Sequence, residues 1–427
     1  MTAIVDVHAW EALDSRGRPT VGCRVELAGG AAGRAIVPSG ASTGGHEARE
    51  LRDGDPDRYS GYGARAAVRS VDDVLAPVVL GLDAADQAAV DTALESADSD
   101  PLLGTVGSNA VLGVSLATML ASAAASGIPL WQAVSSGAAP PELPMPMVNI
   151  ISGGAHAGRA LDIQDVLAVP VGARTFAEAI EWASRVRDAA AALLTQRGHA
   201  SALVADEGGL AASLPSNETA LELVTEAISR AGLAPGEEVG LAVDVAANQI
   251  YREGQYHLAV EGASLDAAAW IDRLEAWCRA HPIVSLEDVL AEDDWDGWAA
   301  ATGVLGAGRQ LLGDDLFATN AARLERGISS GVANAVLVKP NQAGTVSRAW
   351  RVVSQARAAG YQTVISARSG DSEDSWLADL AVGWRTGQIK VGSTTRSERT
   401  AKWNRLLEIE ATSATAPRLA RFPEALR

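Results

Sequence analysis

Lysine is almost missing from this chain of 427 residues. It occurs only as Lys339, Lys390 and Lys402, although lysine and arginine together number 35. Arginine keeps its proton inside a protein, whereas a lysine near other cations can be driven neutral, so the few lysines stand out as candidates for proton exchange. Lys402, in TAKWNRLLEIE, falls in a helical stretch and is expected at the surface or as a cap. Cysteine is as scarce. Cys23 and Cys278 are far apart and lack metal-ligand spacing, which excludes a disulfide framework or a thiolate metal centre and fits a reducing, cytoplasmic setting. No basic segment followed by an apolar one opens the chain, so no secretory signal is expected. No basic run offsets the formal charge of −18, which disfavours nucleic acid and anionic lipid as partners. An anionic substrate therefore needs local cations or a metal.

Charge of either sign is absent from Pro101 to Pro141, and VLGVSLATMLASAAASGIPLW within it is long enough to suggest a membrane span. Its Ala, Ser and Gly content, the break at Gly127 and Pro129, and the lack of flanking Lys or Arg point instead to a helix buried between domains. No membrane association is expected.

With 48% hydrophobic residues, the chain can bury a core large enough for two domains. Strand-like runs (AIVDVHAWEAL, TVGCRVELA, GRAIVP) precede a helical region from about Ala64 to Val134, so residues 1–134 read as an α+β capping domain. The segment 135–146, SSGAAPPELPMP, concentrates Pro, Gly and Ser and reads as a linker to a second domain over 147–427. There a unit recurs: a short apolar run, a polar or charged residue at its end, then a helical stretch. The run-ends are Asp206-Glu207 after SALVA, then Asp244, Glu287, Asp314, Lys339, Ser366 and Lys390, the last six spaced by 24 to 43 residues. That is the length of a βα unit, and repeated parallel units imply a closed (β/α)8 barrel.

Barrels of this kind gather residues from the C-terminal strand ends at one mouth. Asp244, Glu287, Asp314, Lys339 and Lys390 would meet there, joined by Arg368. Each such charge, once desolvated, costs on the order of several kcal/mol unless paired, so the set is poorly explained by stability alone. Three carboxylates with no nearby His or Cys suit a hard divalent cation, Mg²⁺. A metal on a substrate carboxylate, with a lysine placed to take the neighbouring proton, defines proton abstraction α to a carboxylate.

The strings LDSRGRPTV, VPSGASTG, NAVLGVSLA, ISGGAHAG, DEGG, VSLEDVLAEDDW, GDDL, VKPNQAGT, SARSGDSED, GQIKVGS and RSERTAKWNRLLEIE run collinearly along the chain, which in them resembles the enolase (phosphopyruvate hydratase) family nearly end to end. The resemblance implies an enolase-type barrel with an N-terminal capping domain, a hydro-lyase activity, two Mg²⁺ per site and at least a homodimer. It implies Asp244, Glu287 and Asp314 as ligands of the tighter ion, and Ser42, in a Gly-rich loop that closes over the site, as a ligand of the second. Lys339 would be the base, Glu207 the acid that protonates the departing hydroxyl, and Lys390 the carboxylate binder. Arg368 and Ser369 would hold a phosphoryl group, with His156 beside it. On the residues alone, Ser42 reads as a turn and His156 as a satisfied core histidine.

Four positions depart from the family's pattern. Ala367 stands where the family has the histidine of SHRSGE, Asp165 shortens the glutamate of QEF, Arg159 replaces a neutral residue such as Asn, and Val289 replaces the proline of EDP. Loss of an imidazole beside the reacting groups carries a rate cost of about 10²-fold if it assists proton transfer. The alternative is a changed substrate: Ala367 opens space and Arg159 adds charge, so the small anionic substrate is expected to be 2-phosphoglycerate or an analogue with a larger phosphorus group, as in phosphonate pathways that form carboxyphosphonoenolpyruvate. A racemase of the wider superfamily and a non-catalytic binding protein are the competing classes.

Overall fold

The computed structural model describes residues 1–427 apart from 42–43, 136–138, 414, 416 and 427. Three antiparallel strands open the chain: β1 (Ile4–Leu13), β2 (Pro19–Leu27) and β3 (Ala32–Ile36). The β1–β2 turn is closed by Asp14, whose Oδ1 accepts the backbone N–H of Arg16 at 2.8 Å and of Arg18 at 3.0 Å, with Gly17 at φ 73° between them. One face of this sheet is covered by the helix Ser108–Ser126, the uncharged stretch of the sequence. Its apolar residues go all round, so it must be buried on all sides. It lies against β2 and β3, and against the barrel segments Pro340–Ala343 and Val346–Ala358. Among the described residues it is the one helix long and apolar enough to cross a membrane, and 78% of its most apolar window is buried inside the protein.

Eight strands then form the barrel: β4 (Met145–Ser152), β5 (Asp165–Val169), β6 (Gly240–Asp244), β7 (Ile283–Glu287), β8 (Gln310–Gly313), β9 (Ala335–Val338), β10 (Gln362–Ser366) and β11 (Gly387–Gly392). Pairing of β11 with β4 closes it. The expectation of uniformly parallel units needs correction, because β5 runs antiparallel to both β4 and β6. A short connection, residues 153–164, folds β5 straight back from β4 as a hairpin and leaves no room for a crossover helix. SALVA is not a barrel strand either: Val204 makes only an isolated bridge to Leu210.

Side chains alternate along each strand, and the inward set is apolar at depth: Met147, Leu167, Ala242, Leu312, Leu337 and Val364 pack together inside the barrel. This packed interior is the floor on which the site stands.

The close approach of helix to sheet at Gly33 gives a test of the packing. A Cβ there would lie 2.2 Å from the Ala117 carbonyl oxygen and 2.3 Å from the Ala121 nitrogen. Gly33→Ala is expected to destabilise the protein by about 1–3 kcal/mol in urea unfolding. Gly303→Ala, in the helix Trp295–Leu305 with nothing within 4 Å of the added methyl, should stabilise by about 0.5–1 kcal/mol. Equal effects at the two positions would contradict this packing.

Candidate active site

One further step of two residues along each inward row reaches the barrel mouth. Ala242 leads to Asp244, Leu312 to Asp314, Leu337 to Lys339 and Val364 to Ser366. The antiparallel β5 arrives at the same rim with its first residue, so Asp165 pairs in register with Asp244. Glu287 ends β7 beside Asp244, and Lys390 sits opposite Ser366 with β11 continuing two residues beyond it.

A cavity at this mouth is lined by His156, Glu207, Asp244, Asp314, Lys339, Arg368, Ser369 and Lys390. Lys390 Nζ lies 2.6 Å from Asp244 Oδ2 and 2.8 Å from each oxygen of Glu287. Lys339 Nζ lies 2.5 Å from Asp314 Oδ2, and Gln342 Nε2 donates to the other Asp314 oxygen at 3.1 Å. Asp244 also accepts from Gln164 Nε2 at 2.9 Å. Burial presses both lysines toward the neutral form, but Asp314 holds Lys339 above the usual lysine value, and Asp244 and Glu287 hold Lys390 well above it.

On another wall, His156 Nδ1 is 3.0 Å from Asp165 Oδ2, and Ser152 Oγ donates to the second Asp165 oxygen. His156 Nε2 faces Glu207 Oε1 at 3.9 Å, while Asn149 Nδ2 donates to Glu207 Oε2 at 3.0 Å. Burial disfavours the imidazolium, yet Glu207 and Asp165 overcome it and raise His156 to about 9. Burial pushes Glu207 up, but His156, Arg399 and the two lysines outweigh it, leaving its carboxyl below the ordinary value.

The third wall joins the two parts of the chain. Arg368 Nη1 donates to Glu47 Oε2 at 2.9 Å. Ser369 Oγ accepts from the Ala41 backbone at 2.6 Å and from Arg16 Nη1 at 3.3 Å. Ala367, 5% exposed, lines the cavity with only a methyl group. Val289 is fully buried, and its carbonyl accepts from Trp270 Nε1 at 2.8 Å. Ser42 lies outside the described residues.

Two expectations are corrected by position. Arg159 is exposed and lines a neighbouring cleft with Asp162, Arg252 and His257, because the turn after His156 carries it away from the mouth. It does not line the cavity at the mouth. Lys402 is 1% exposed, since its helix turns that face toward the loop after Ser366.

The cavity is short of positive charge. Burial, followed by neighbouring carboxylates, pushes Glu287 and Asp288 well above the carboxylate range and Asp315 up to about 7. Asp288, Asp314 and Asp315 offer oxygens within 4.8 Å of one another. Buried acids crowded together, each offering oxygen as its donor atom, fit a hard divalent ion such as Mg²⁺. The three expected ligands are not gathered on a single point: Asp244 and Glu287 share Lys390, whereas Asp314 turns to Lys339. Sequence reasoning passed over Glu47, Asn149, Asp288 and Asp315. The two aspartates were visible as paired acids in LEDV and GDDL; Glu47 and Asn149 carried no local signal.

Residues 4–134 match the domain family described as Enolase, N-terminal domain, and residues 141–420 match Enolase, C-terminal TIM barrel domain.

Histidine NMR of the metal-free protein should show the His156 imidazole titrating near pH 9, and Glu207→Gln should bring it down toward the ordinary 6.5. A folded-state pKa raised in this way contributes stability that is complete below pH 6.5 and is lost as pH rises through about 9. A titration of His156 below pH 7 in the unaltered protein would refute this electrostatic account.

Proposed function

Since the chain belongs to the enolase family, we propose that it is a Mg²⁺-dependent hydro-lyase that removes the α-proton and then the β-hydroxyl of a phosphorus-bearing carboxylate. The observation that carries this reading is the presence in one buried cavity of a lysine at a strand end, Lys339, and a carboxyl beside an imidazolium, Glu207, with Lys390 among acids between them.

Asp244, Glu287 and Asp314 would hold the ion, which supplies positive charge to the carboxylate as its second negative charge develops. Asp314, as a ligand of that ion, would no longer be Lys339's partner, and Arg368 and Lys390 both press Lys339 toward the neutral base. Lys339 Nζ then takes the α-proton. Glu207 relays a proton to the departing hydroxyl: its carboxylate, held below the ordinary value, first takes the Nε2 proton of the His156 imidazolium 3.9 Å away, which leaves that imidazole neutral, and then passes the proton to the leaving oxygen as the C–O bond breaks. Lys390 holds the substrate carboxylate, and Arg368 and Ser369 the phosphorus group. Glu207, Lys390, Arg368 and Ser369 are buried and Lys339 partly so, which limits water around the proton transfers.

For the substrate, the space left by Ala367 beside Arg368 and Ser369 supports a phosphorus group larger than phosphate, as in the analogue whose dehydration gives carboxyphosphonoenolpyruvate. Dehydration of 2-phosphoglycerate itself is the second reading. It is favoured by the position of Arg159, which leaves the cavity without the extra cation a more anionic substrate would use.

Product absorbance with Mg²⁺ separates the two. The analogue should turn over faster than 2-phosphoglycerate, and Ala367→His should reverse that order; a gain in analogue turnover in Ala367→His would sink the opened-space account. Lys339→Ala should lower turnover of either substrate by about 10²- to 10⁴-fold while leaving Mg²⁺ binding in place.

A further inference from the structure

The helix Ser397–Thr412 sends a fully buried arginine to the back of the site, where the reaction has no direct use for it. Arg399 Nη1 donates to the carbonyl of Arg368 at 2.7 Å and to that of Val391 at 2.9 Å, and Nη2 donates to the carbonyl of Ser369 at 2.7 Å. These carbonyls belong to two separate chain segments. Arg368 and Ser369 form the turn assigned above to the phosphorus group. Val391 follows Lys390, assigned to the carboxylate.

Two neighbours tighten the arrangement. A Cβ on Gly392 would lie 2.9 Å from Arg399 Cδ and 2.6 Å from the Glu207 carbonyl oxygen, so the end of β11 is held between the arginine and the Glu207 segment. The Ser393 N–H donates to that same oxygen at 2.8 Å. Lys402, one helical turn on, donates to Asp371 Oδ1 at 2.7 Å, and Asp371 Oδ2 accepts the Arg368 N–H at 3.2 Å. The near carboxylate, Glu398, reaches only Arg399 Nε, at 3.4 Å, and is shared with Arg396 at 3.0 Å. Most of the guanidinium's donors are therefore committed to backbone carbonyls of the site. A rigid planar fork suits that task, because it fixes the direction of each bond as well as its length.

We propose that Arg399 is a positioning residue that sets the separation between the carboxylate end of the substrate pocket, at Lys390, and the phosphorus end, at Arg368 and Ser369. This rests on the assignment of those two ends made above. A residue that merely docks the helix would affect every property of the fold alike. One that sets a separation acts on the anion that must be held at the far end, and a displacement of about 1 Å in such a group is enough to cost about 10²-fold.

The test compares the full-length protein with Arg399→Lys, which keeps the charge and loses the fork, and Arg399→Met, which loses both. Calorimetry with Mg²⁺, then with inorganic phosphate at saturating Mg²⁺, reads the two ends separately. Mg²⁺ affinity should stay within about 3-fold in both variants, and phosphate affinity should fall by about 10- to 100-fold in both. Unchanged phosphate affinity in the variants, full retention in Arg399→Lys, or parallel loss of Mg²⁺ and phosphate binding in both would each overturn the proposal. So would failure of the unaltered protein to bind phosphate. An unaltered protein that binds phosphate and shows the expected variant pattern, yet dehydrates neither 2-phosphoglycerate nor its analogue, would refute the enzymatic reading and leave the role of Arg399 standing.

Discussion

The ammonium of Lys390 lies 2.6 Å from Asp244 and 2.8 Å from both oxygens of Glu287, at the mouth of a barrel that carries a layer of apolar side chains at depth. Buried acids this close repel one another and cannot all ionise without a cation between them. Burial and Asp244 push Glu287 well above the carboxylate range even with the lysine present. The rest of the mouth follows from that constraint. Asp314 takes Lys339 as its partner, Glu207 takes the charge of His156, and Asp288 accepts the backbone N–H groups of Asp314 and Asp315 at 2.9 and 2.8 Å. Each pairing lowers the cost of one acid and leaves a net shortage of positive charge, which is the property a divalent cation answers.

The N-terminal part of the chain is tied to this centre from two sides. At the front, Glu47 holds Arg368, and Ala41 and Arg16 hold Ser369. Behind Lys339, the helix Val346–Ala358 begins on residues from the other side: Ser115 Oγ accepts the Val346 N–H at 3.1 Å and Asp91 Oδ2 accepts the Ser347 N–H at 2.8 Å. Glu95 accepts from Thr345 Oγ1 at 2.8 Å. Carboxylates at a helix N-terminus satisfy orphan donors and meet the positive end of the helix dipole. The segment that follows Lys339 is thereby fastened to the cap, and Thr319 Oγ1, accepting the Lys339 N–H at 2.9 Å, fixes the backbone of Lys339 itself. Cap and barrel thus build one site between them.

The six successive parallel strands β6–β11 were legible in the sequence because an apolar run that ends in a polar or charged residue is a local pattern, and it recurred at the length of a βα unit. Asp165 escaped that reading: β5 is antiparallel, so its functional end is its beginning, where no run-end rule looks. Only resemblance to a family brought it in. Glu47 and Asn149 were invisible for a related reason, since each gains its meaning from a partner far away in the chain, Arg368 and Glu207. Arg159 was misplaced because a sequence gives a residue's neighbours and not the direction of a turn; at φ 62° its backbone heads away from the cavity wall that His156 faces.

The scarcity of lysine also takes on a second physical meaning. Lys390 and Lys402 are buried and Lys339 is partly so, and at the first two the ammonium meets three acceptors converging on one point: Asp244 and both Glu287 oxygens at Lys390, and Asp371, the Ser372 carbonyl and the Glu398 carbonyl at Lys402. A compact ammonium with three rotatable donors can satisfy such a cluster, whereas a planar guanidinium spreads its donors over a fork and cannot. Arg399 shows the converse, with carbonyls laid out along two segments rather than around a point. Lysine at Lys402 is therefore explained by geometry alone, with no proton to exchange. At Lys390 geometry and charge both require it. Lys339 differs from these two: its ammonium has a single carboxylate partner, Asp314, so of the three it is the lysine least committed to structure.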